Sequence, residues 1–491
     1  MERIPYKWLV AVVFVAAVFM DLLDTSIVNV AIPRLSHEFD ASVSQVQWAV
    51  LGYLLALAIS IPSSGWFGDR YGTKRVFLLA LGAFTLASML CGTASSLTQL
   101  TGFRFVQGFG GGMMVPVGTA MLYRAFPPIE RARASTILTI PVGLAPMLGP
   151  LIGGWLVTDF SWRWIFFINI PMGLLAFVVG AIGLREHKEP AAGRFDVAGF
   201  LLAGAGLAGI LFALSRGPIE GWGSLSVLIP GVLGIIAFAT LVWVETKVVQ
   251  TPMLALRLLG ERMFRRVNLV ATLSFASFIG LLFLMPLFLQ ELLGLSALES
   301  GLVLFPQAIG MMLTGQICGR VYHSVGPRRL LVCGLAAMSI VTLSLVTVDF
   351  NTSLWVIRAI MFIRGMTLGF VLIPIQTAVY ANVQRSDTGR ATAIFSAGRQ
   401  IAGSLGVAVL STVLVESINH FSKGASNHAQ LRHASLNAFH FSFFIGSCMI
   451  MIAAFSALMI RDTDAASTMR GRAAKRVEPE PTPAVQSDIG N

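Results

Sequence analysis

Asp21 and Asp24 stand three residues apart inside an apolar run that begins near Trp8. An ionisable group in the middle of a membrane-spanning helix costs at least ~2.5 kcal/mol and usually has a task. At that spacing the two carboxylates share a helix face. Asp24 lies nine residues before the far end of the run, at Pro33, and Arg104 lies early in a later run that descends from the same side. Their depths are therefore compatible with pairing. Burial favours the neutral acid and a nearby cation favours the charged one, so small changes in separation or hydration could load or release a proton. The same residues could also form a static ion pair that fixes helix packing. Asp21 fits a second proton site, a substrate contact or a water-facing residue.

A second constellation is the polar hairpin Gly65-Trp66-Phe67-Gly68-Asp69-Arg70-Tyr71-Gly72-Thr73-Lys74-Arg75, wedged between two apolar runs. Its glycines permit a tight turn and close helix approach, and Asp69 can accept bonds from helix N-termini and from arginine. Arg70, Lys74 and Arg75 also suit plain anchoring of the loop at a charged membrane surface. A weaker copy, Gly319 to Arg329, aligns Gly319 with Gly65 and Gly326 with Gly72, with His323 in the place of Asp69. The chain therefore contains a duplication whose second gate lacks the carboxylate.

Further along, Ala145, Gly149 and Gly153 recur every four residues and make a smooth stripe where another backbone can approach. Pro141, Pro146 and Pro150 on the same segment favour bending. Arg364 and the pair Arg399-Gln400 are intramembrane groups with no carboxylate at an obvious matching depth. They could bind anionic groups or backbone carbonyls, or face water. Phe275, Phe278, Phe283, Met285 and Phe288 crowd one run, where some would shape an adaptable apolar pocket. Cys91, Cys318, Cys333 and Cys448 read as reduced core thiols. His420, His428, His433 and His440 read as a solvated outer loop without metal-pair spacing. No metal site, catalytic nucleophile or cofactor motif is expected.

The elements that position these groups are membrane helices. Hydrophobic residues make up 55% of the 491, charged residues only 12%, and mean hydropathy is +0.77, which excludes a soluble globule. Fourteen apolar runs begin near Trp8, Gln45, Val76, Leu100, Arg133, Arg163, Phe195, Ser224, Arg266, Leu298, Arg329, Thr352, Gly389 and Asn437, each long enough to cross about 30 Å of hydrocarbon. With the N-terminus inside, 26 of the 35 Lys and Arg fall on the inner side and five outside, so both termini are expected to be cytoplasmic. The net charge of +11 then reflects loop asymmetry and attraction to anionic lipid, not nucleic-acid binding. The first run leads into a working helix and shows no signal-peptide cleavage site.

The paired hairpins divide the chain into an N-terminal six-helix bundle (1–190), an inserted two-helix hairpin (191–250), a C-terminal six-helix bundle (251–462) and a disordered cytoplasmic tail (463–491). This all-α polytopic plan, with the first hairpin, resembles the major facilitator superfamily, and the fourteen spans resemble its drug/proton antiporter family. Further matching motifs are Leu23-Asp24-Thr25-Ser26-Ile27-Val28-Asn29-Val30-Ala31-Ile32-Pro33, Arg104-Phe105-Val106-Gln107-Gly108, Ala145-Pro146-Met147-Leu148-Gly149-Pro150-Leu151-Ile152-Gly153-Gly154, and Trp162 through Pro171.

The resemblance implies proton coupling at Asp24 with Arg104. It also implies an inner latch at Gly65, Asp69, Arg70 and Gly72, with Gly319 and Gly326 in the copy. A hinge that seals against leak is implied at Ala145, Pro146, Gly149, Pro150, Gly153 and Gly154, where alanine replaces the usual first glycine. The pattern requires Asp24 but not Asp21. Asn29 and Gln107, inside matched motifs, join Arg364, Arg399 and Gln400 as substrate or coupling candidates. The expected protein is a monomeric exporter of amphipathic small molecules in the cell (inner) membrane. Protons would be its coupling ion, the bilayer its surroundings, with no enzymatic activity. A metabolite importer or uniporter, or a membrane sensor, are the alternatives.

Overall fold

The computed structural model describes residues 5–189, 193–249, 252–423 and 427–469. Their fourteen long helices are α1 (Tyr6–Glu38), α2 (Val43–Tyr71), α3 (Thr73–Gly92), α4 (Leu97–Ala125), α5 (Arg131–Asp159), α6 (Asn169–Gly183), α7 (Val197–Glu220), α8 (Leu225–Lys247), α9 (Arg262–Leu287), α10 (Ala297–Val325), α11 (Pro327–Leu343), α12 (Leu354–Ala378), α13 (Thr388–Phe421) and α14 (His428–Ala457). All fourteen segments are long and apolar enough to span a bilayer. Helices suit this environment because they satisfy their backbone polar groups internally.

The duplication is visible residue by residue. Ser42 caps α2 in a capping box with Gln45, and Ser296 caps α10 in the same way with Glu299. Gly72 (φ +106°) and Gly326 (φ +88°) make the α2–α3 and α10–α11 turns in the left-handed region that favours glycine. Close helix crossings repeat as well: Gly108 and Gly112 of α4 sit on the backbone of Tyr53 and Leu57 in α2, while Gly365 and Gly369 of α12 sit on that of Gln307 and Met311 in α10. Even ion pairs recur. Lys7 binds Glu130 before α5 at 2.6 Å, and Arg257 binds Asp387 before α13 at 2.8 Å.

Helices α1–α6 and α9–α14 form two six-helix halves, and α7 and α8 form a hairpin between them in sequence. Helix α7 packs across the α2–α13 seam, where Leu207 and Leu211 meet Leu55 and Ala58 of one half and Ala397 and Ile401 of the other. Trp222 at the hairpin's tip donates to Thr412 Oγ1 of α13 at 3.0 Å. Helix α8 buries little more than Val227, Gly234, Leu241 and Glu245, mostly against α7 through backbone contact of Gly209 with Gly234.

Several sequence expectations need correction. The tail does not begin as a disordered segment at 463: Asp462–Thr468 form a 3₁₀ helix that docks on the α10–α11 turn, and the rest of the expected tail, from 470, lies outside the described residues. The histidine segment is not a loop, since His428, His433 and His440 lie in α14 and His420 at the end of α13. His440 Nε2 meets the Val348 carbonyl at 2.7 Å. Cys333 is exposed, not a core thiol. Helix α1 continues through Pro33 to Glu38, which places Asp24 deeper than expected.

Candidate functional site

Four helices of the first half converge on Asp24. Asp24 and Arg104 are both fully buried, and Arg104 Nη1 lies 2.5 Å from Asp24 Oδ2. Gln107 Nε2 and Asn169 Nδ2 donate to Asp24 Oδ1 at 2.8 and 3.1 Å. Gln107 Oε1 accepts in turn from Arg104 at 2.8 Å, and Asn169 also donates to Ser88 Oγ of α3 at 3.1 Å. Both oxygens of Asp24 are thus held by donors from three side chains, among them a charge-assisted bond to Arg104. The guanidinium lies between two rings, 4.2 Å from the centre of Tyr53 and 5.8 Å from that of Phe166, which favours a desolvated cation.

Asp21, one turn away, is held differently. Tyr53 Oη donates to its Oδ1 at 2.6 Å, and Gly111 of α4 leaves the room that the carboxylate and the phenol occupy. No side-chain donor reaches its other oxygen among the described residues. Arg399 of the second half lies within electrostatic reach of Asp21, with its guanidinium 4.9 Å from the Phe275 ring centre. The expectation that Arg399 has no carboxylate at its depth is modified: Asp21, across the interface, lies within its electrostatic reach, although no ion pair joins them among the described residues. Gln400 is half-buried beside it, and Asn29 is exposed and folded back on the Thr25 carbonyl, away from the Asp24 cluster.

The two halves are fastened at the end that carries the hairpins. Asp69 is buried against the N-terminus of α13, where a Cβ on Gly389 would lie 3.1 Å from its Oδ1, and Arg124 Nη2 donates to it at 3.0 Å. A Cβ on Gly65 would fall 2.8 Å from the Gly389 carbonyl, so glycine there sets the crossing of α2 with α13. In the copy, Gly319 crosses α5 at Thr136. Hydrogen bonds join Arg124 to the Arg385 carbonyl, Arg131 to the Tyr380 carbonyl, Ser135 to Thr377, and Thr136 to the Gly315 carbonyl. Tyr123 and Tyr380 pack ring to ring at 4.5 Å. Arg70 is exposed, and a cation bonded to Asp69 is Arg124 of α4.

The small-residue stripe on α5 faces α1 of its own half. Gly149 lies against Ser26 and Ile27, Gly153 against Ile27 and Val30, and the Ala145 carbonyl accepts from Ser26 Oγ at 3.4 Å. Gly154 borders open space and is not part of the contact. The other face of α5, with Gly143, Pro146 and Met147, borders a narrow cleft shared with Phe278, Gln307, Met311 and Leu368 of the second half. Of the aromatic run, Phe278 lines this cleft, Phe283 faces outward, and Phe288 packs in the core against Phe439 and Phe443. Arg364 of α12 is buried and donates to Gln307 Oε1 at 2.7 Å.

Sequence reasoning missed Tyr53, Arg124, Asn169, Gln307 and Gly389. The register of the duplicated hairpins could have found two of them, because it places Gln307 opposite Tyr53.

Comparison with known proteins agrees with this architecture. Residues 14–407 match the family described as "Major Facilitator Superfamily". The chain is 35% identical over 417 residues to "Multidrug resistance protein B homolog" of Mycobacterium tuberculosis (strain ATCC 25618 / H37Rv), covering 83% of this chain and 76% of that protein. It is 32% identical to "Putative multidrug resistance protein MdtD" of Serratia proteamaculans (strain 568), covering 94% of each. Among solved structures, the human organic anion transporter MFSD10 (TETRAN) superposes with a TM-score of 0.65 at 14% identity, covering 93% of this chain and all of that one. The proton:xylose symporter XylE gives 0.63 at 15% identity, covering 92% and 94%. At those identities the two structures speak for the fold alone. With two six-helix halves, fourteen spanning helices and relatives of this kind, the chain belongs to the major facilitator superfamily and is a multi-pass membrane transporter, not an enzyme.

Proposed function

We propose that the protein exports amphipathic small molecules in exchange for protons by alternating access, with both termini and both hairpins on the cytoplasmic side. The observation that carries this reading is the contrast between its two intramembrane acids. Asp24 is enclosed by fixed donors, whereas Asp21 has one side-chain donor and lies within electrostatic reach of a cation of the opposite half. A group whose counter-charge belongs to the other half changes its environment whenever the halves rock. Asp21 is therefore the better placed to exchange a proton, and Asp24 with Arg104 holds the Tyr53 ring that serves it. The latch at Asp69 closes the cytoplasmic end in the conformation described. A substrate drives the cycle only through unequal affinity for the two orientations.

The relatives' names support drugs as the substrate class, and the basic loops support the orientation. The test is drug-induced proton release from inverted vesicles that hold a pH gradient. Wild-type protein should discharge the gradient on drug addition, and Asp21→Asn should not. Equal discharge by both would remove Asp21 from coupling, and no drug response in either would remove the exchange reading.

A further inference from the structure

Superposing the two halves through their glycine crossings exposes an imbalance of charge. Gly108 rests on Tyr53 and Gly365 rests on Gln307, so Arg364 on α12 stands where Gln107 stands on α4. In the first half the buried cation of that cluster, Arg104, is neutralised by Asp24 of α1. The corresponding stretch of α9 offers Ser274, Phe275, Ala276 and Ser277, which carry no acid. Arg364 is 1% exposed and has Gln307 Oε1 as its hydrogen-bond partner. Its Nε and Nη2 are buried with no partner, and it joins no ion pair, among the described residues.

A buried guanidinium without a counter-charge is costly, and one that persists at membrane depth marks a binding or transport function. Arg364 is the eleventh residue of a helix that begins at Leu354, about 15 Å from its end, beyond the reach of a lipid headgroup. Its partner Gln307 lines the cleft between the halves together with Val142, Met147, Phe278, Leu282 and Met311. Such a site combines an apolar wall of adaptable side chains with a planar fork of N–H donors suited to a carboxylate or sulfonate.

We infer that Arg364, oriented by Gln307, recognises an anionic group of the transported amphipath, whose apolar body lies along the cleft. This rests on the transporter reading and narrows its substrate class to molecules that bear an acidic group. Arg364 is a binding residue here and Gln307 a positioning residue.

The test uses purified full-length protein in neutral detergent and a matched pair of probes, 1-pyrenebutyrate and its trimethylammonium counterpart, followed by quenching of tryptophan fluorescence. Wild-type protein should bind the carboxylate more tightly than the ammonium probe. Arg364→Ala should weaken the carboxylate by at least about tenfold and leave the ammonium probe unchanged. Arg364→Lys, which keeps the charge, should retain most of the preference. Gln307→Ala, which frees the guanidinium without removing it, should weaken the carboxylate by a smaller factor.

Equal loss of both probes in Arg364→Ala would assign the residue to packing and overturn the inference. So would a wild type that does not distinguish the probes. If the alanine variant does not fold, the lysine and Gln307 variants decide by the same criterion. Charge-selective binding in a protein that moves neither probe across vesicle membranes would leave this site standing and refute the exporter reading. Transport without charge selection would do the reverse.

Discussion

Tyr53 lays its ring over the guanidinium of Arg104, 4.2 Å from ring centre to Cζ, and turns its hydroxyl to Asp21 at 2.6 Å. One residue of α2 thereby ties a closed ion pair to an open carboxylate. Tyr53→Phe removes the donor and keeps the ring. Because Asp21 then loses its one side-chain donor, and a hydrogen bond to a charged group contributes about 1.5–3 kcal/mol, drug-induced proton release in inverted vesicles should fall roughly tenfold and the melting temperature should drop by a few degrees. Tyr53→Leu removes the cation–π contact too, worth about 2 kcal/mol when desolvated, and should also lower the melting temperature. Unchanged proton release in Tyr53→Phe would separate Asp21 from coupling.

The Asp24–Arg104 pair makes a different prediction, because both groups are fully buried. Removing one partner of a buried pair leaves an uncompensated charge and costs about 3–5 kcal/mol. Asp24→Asn and Arg104→Gln should each reduce folded yield and thermal stability. The double variant should recover much of that stability, since it removes both charges together. If either single variant is as stable as wild type, the pair is not fixed in the manner described. Proton release from the double variant then reports whether the pair also serves coupling.

Much of this arrangement was legible in the chain, for physical reasons. Ionisable residues stand out against hydrocarbon, so Asp21, Asp24, Arg104 and Arg364 announce themselves. The duplicated hairpins fix the register of the halves. What the sequence hides is which side chain faces which across helices far apart in the chain. Tyr53 reads as one more aromatic in an apolar run, and Asn169 as a helix start. Arg124 reads as one of many basic residues at a membrane surface, although it, and not Arg70, reaches Asp69. Arg399 looked isolated because the carboxylate within its electrostatic reach belongs to the other half. Sequence depth gives a residue's height in the bilayer but not its azimuth around the helix.

The proposed latch rests on backbone contact as well as on charge. A side chain at Gly65 would collide with the backbone at Gly389, and neither main chain can yield without parting α2 from α13. Gly65→Val should hold the hairpin end open, while Asp69→Asn should loosen it less, because Arg124 keeps its bond to the Arg385 carbonyl. Thr377 is fully buried between the halves, so it is a suitable reporter. With Cys333 replaced by serine, a cysteine at Thr377 should react slowly with a polar maleimide in the parent, several-fold faster in Asp69→Asn and faster still in Gly65→Val. Equal labelling in all three would dissociate these residues from the gate.

The second half fastens its own turn with the segment after α14. Asp462 Oδ1 accepts from the Arg328 amide at 2.9 Å, just as Glu186 Oε1 accepts from the Lys74 amide at 3.0 Å in the first half; both carboxylates cap a helix that starts after a left-handed glycine. Where Asp69 would stand in the copy, His323 Nδ1 meets the Thr468 carbonyl at 2.9 Å, and Ser467 Oγ donates to the Ala381 carbonyl at 2.8 Å. A short 3₁₀ helix thus occupies the position that a carboxylate latch holds in the first half. Asp462→Ala and Glu186→Ala should each cost about 1 kcal/mol, the ordinary loss of a helix cap. Ending the chain after Arg461 removes the cap and the His323 contact together and should cost more than either point change, while ending it after Met469 keeps both and should match the full-length protein. Thermal unfolding of the four variants in detergent checks the order, and a chain ending at Arg461 that melts with wild type would show that the segment does not fasten the turn.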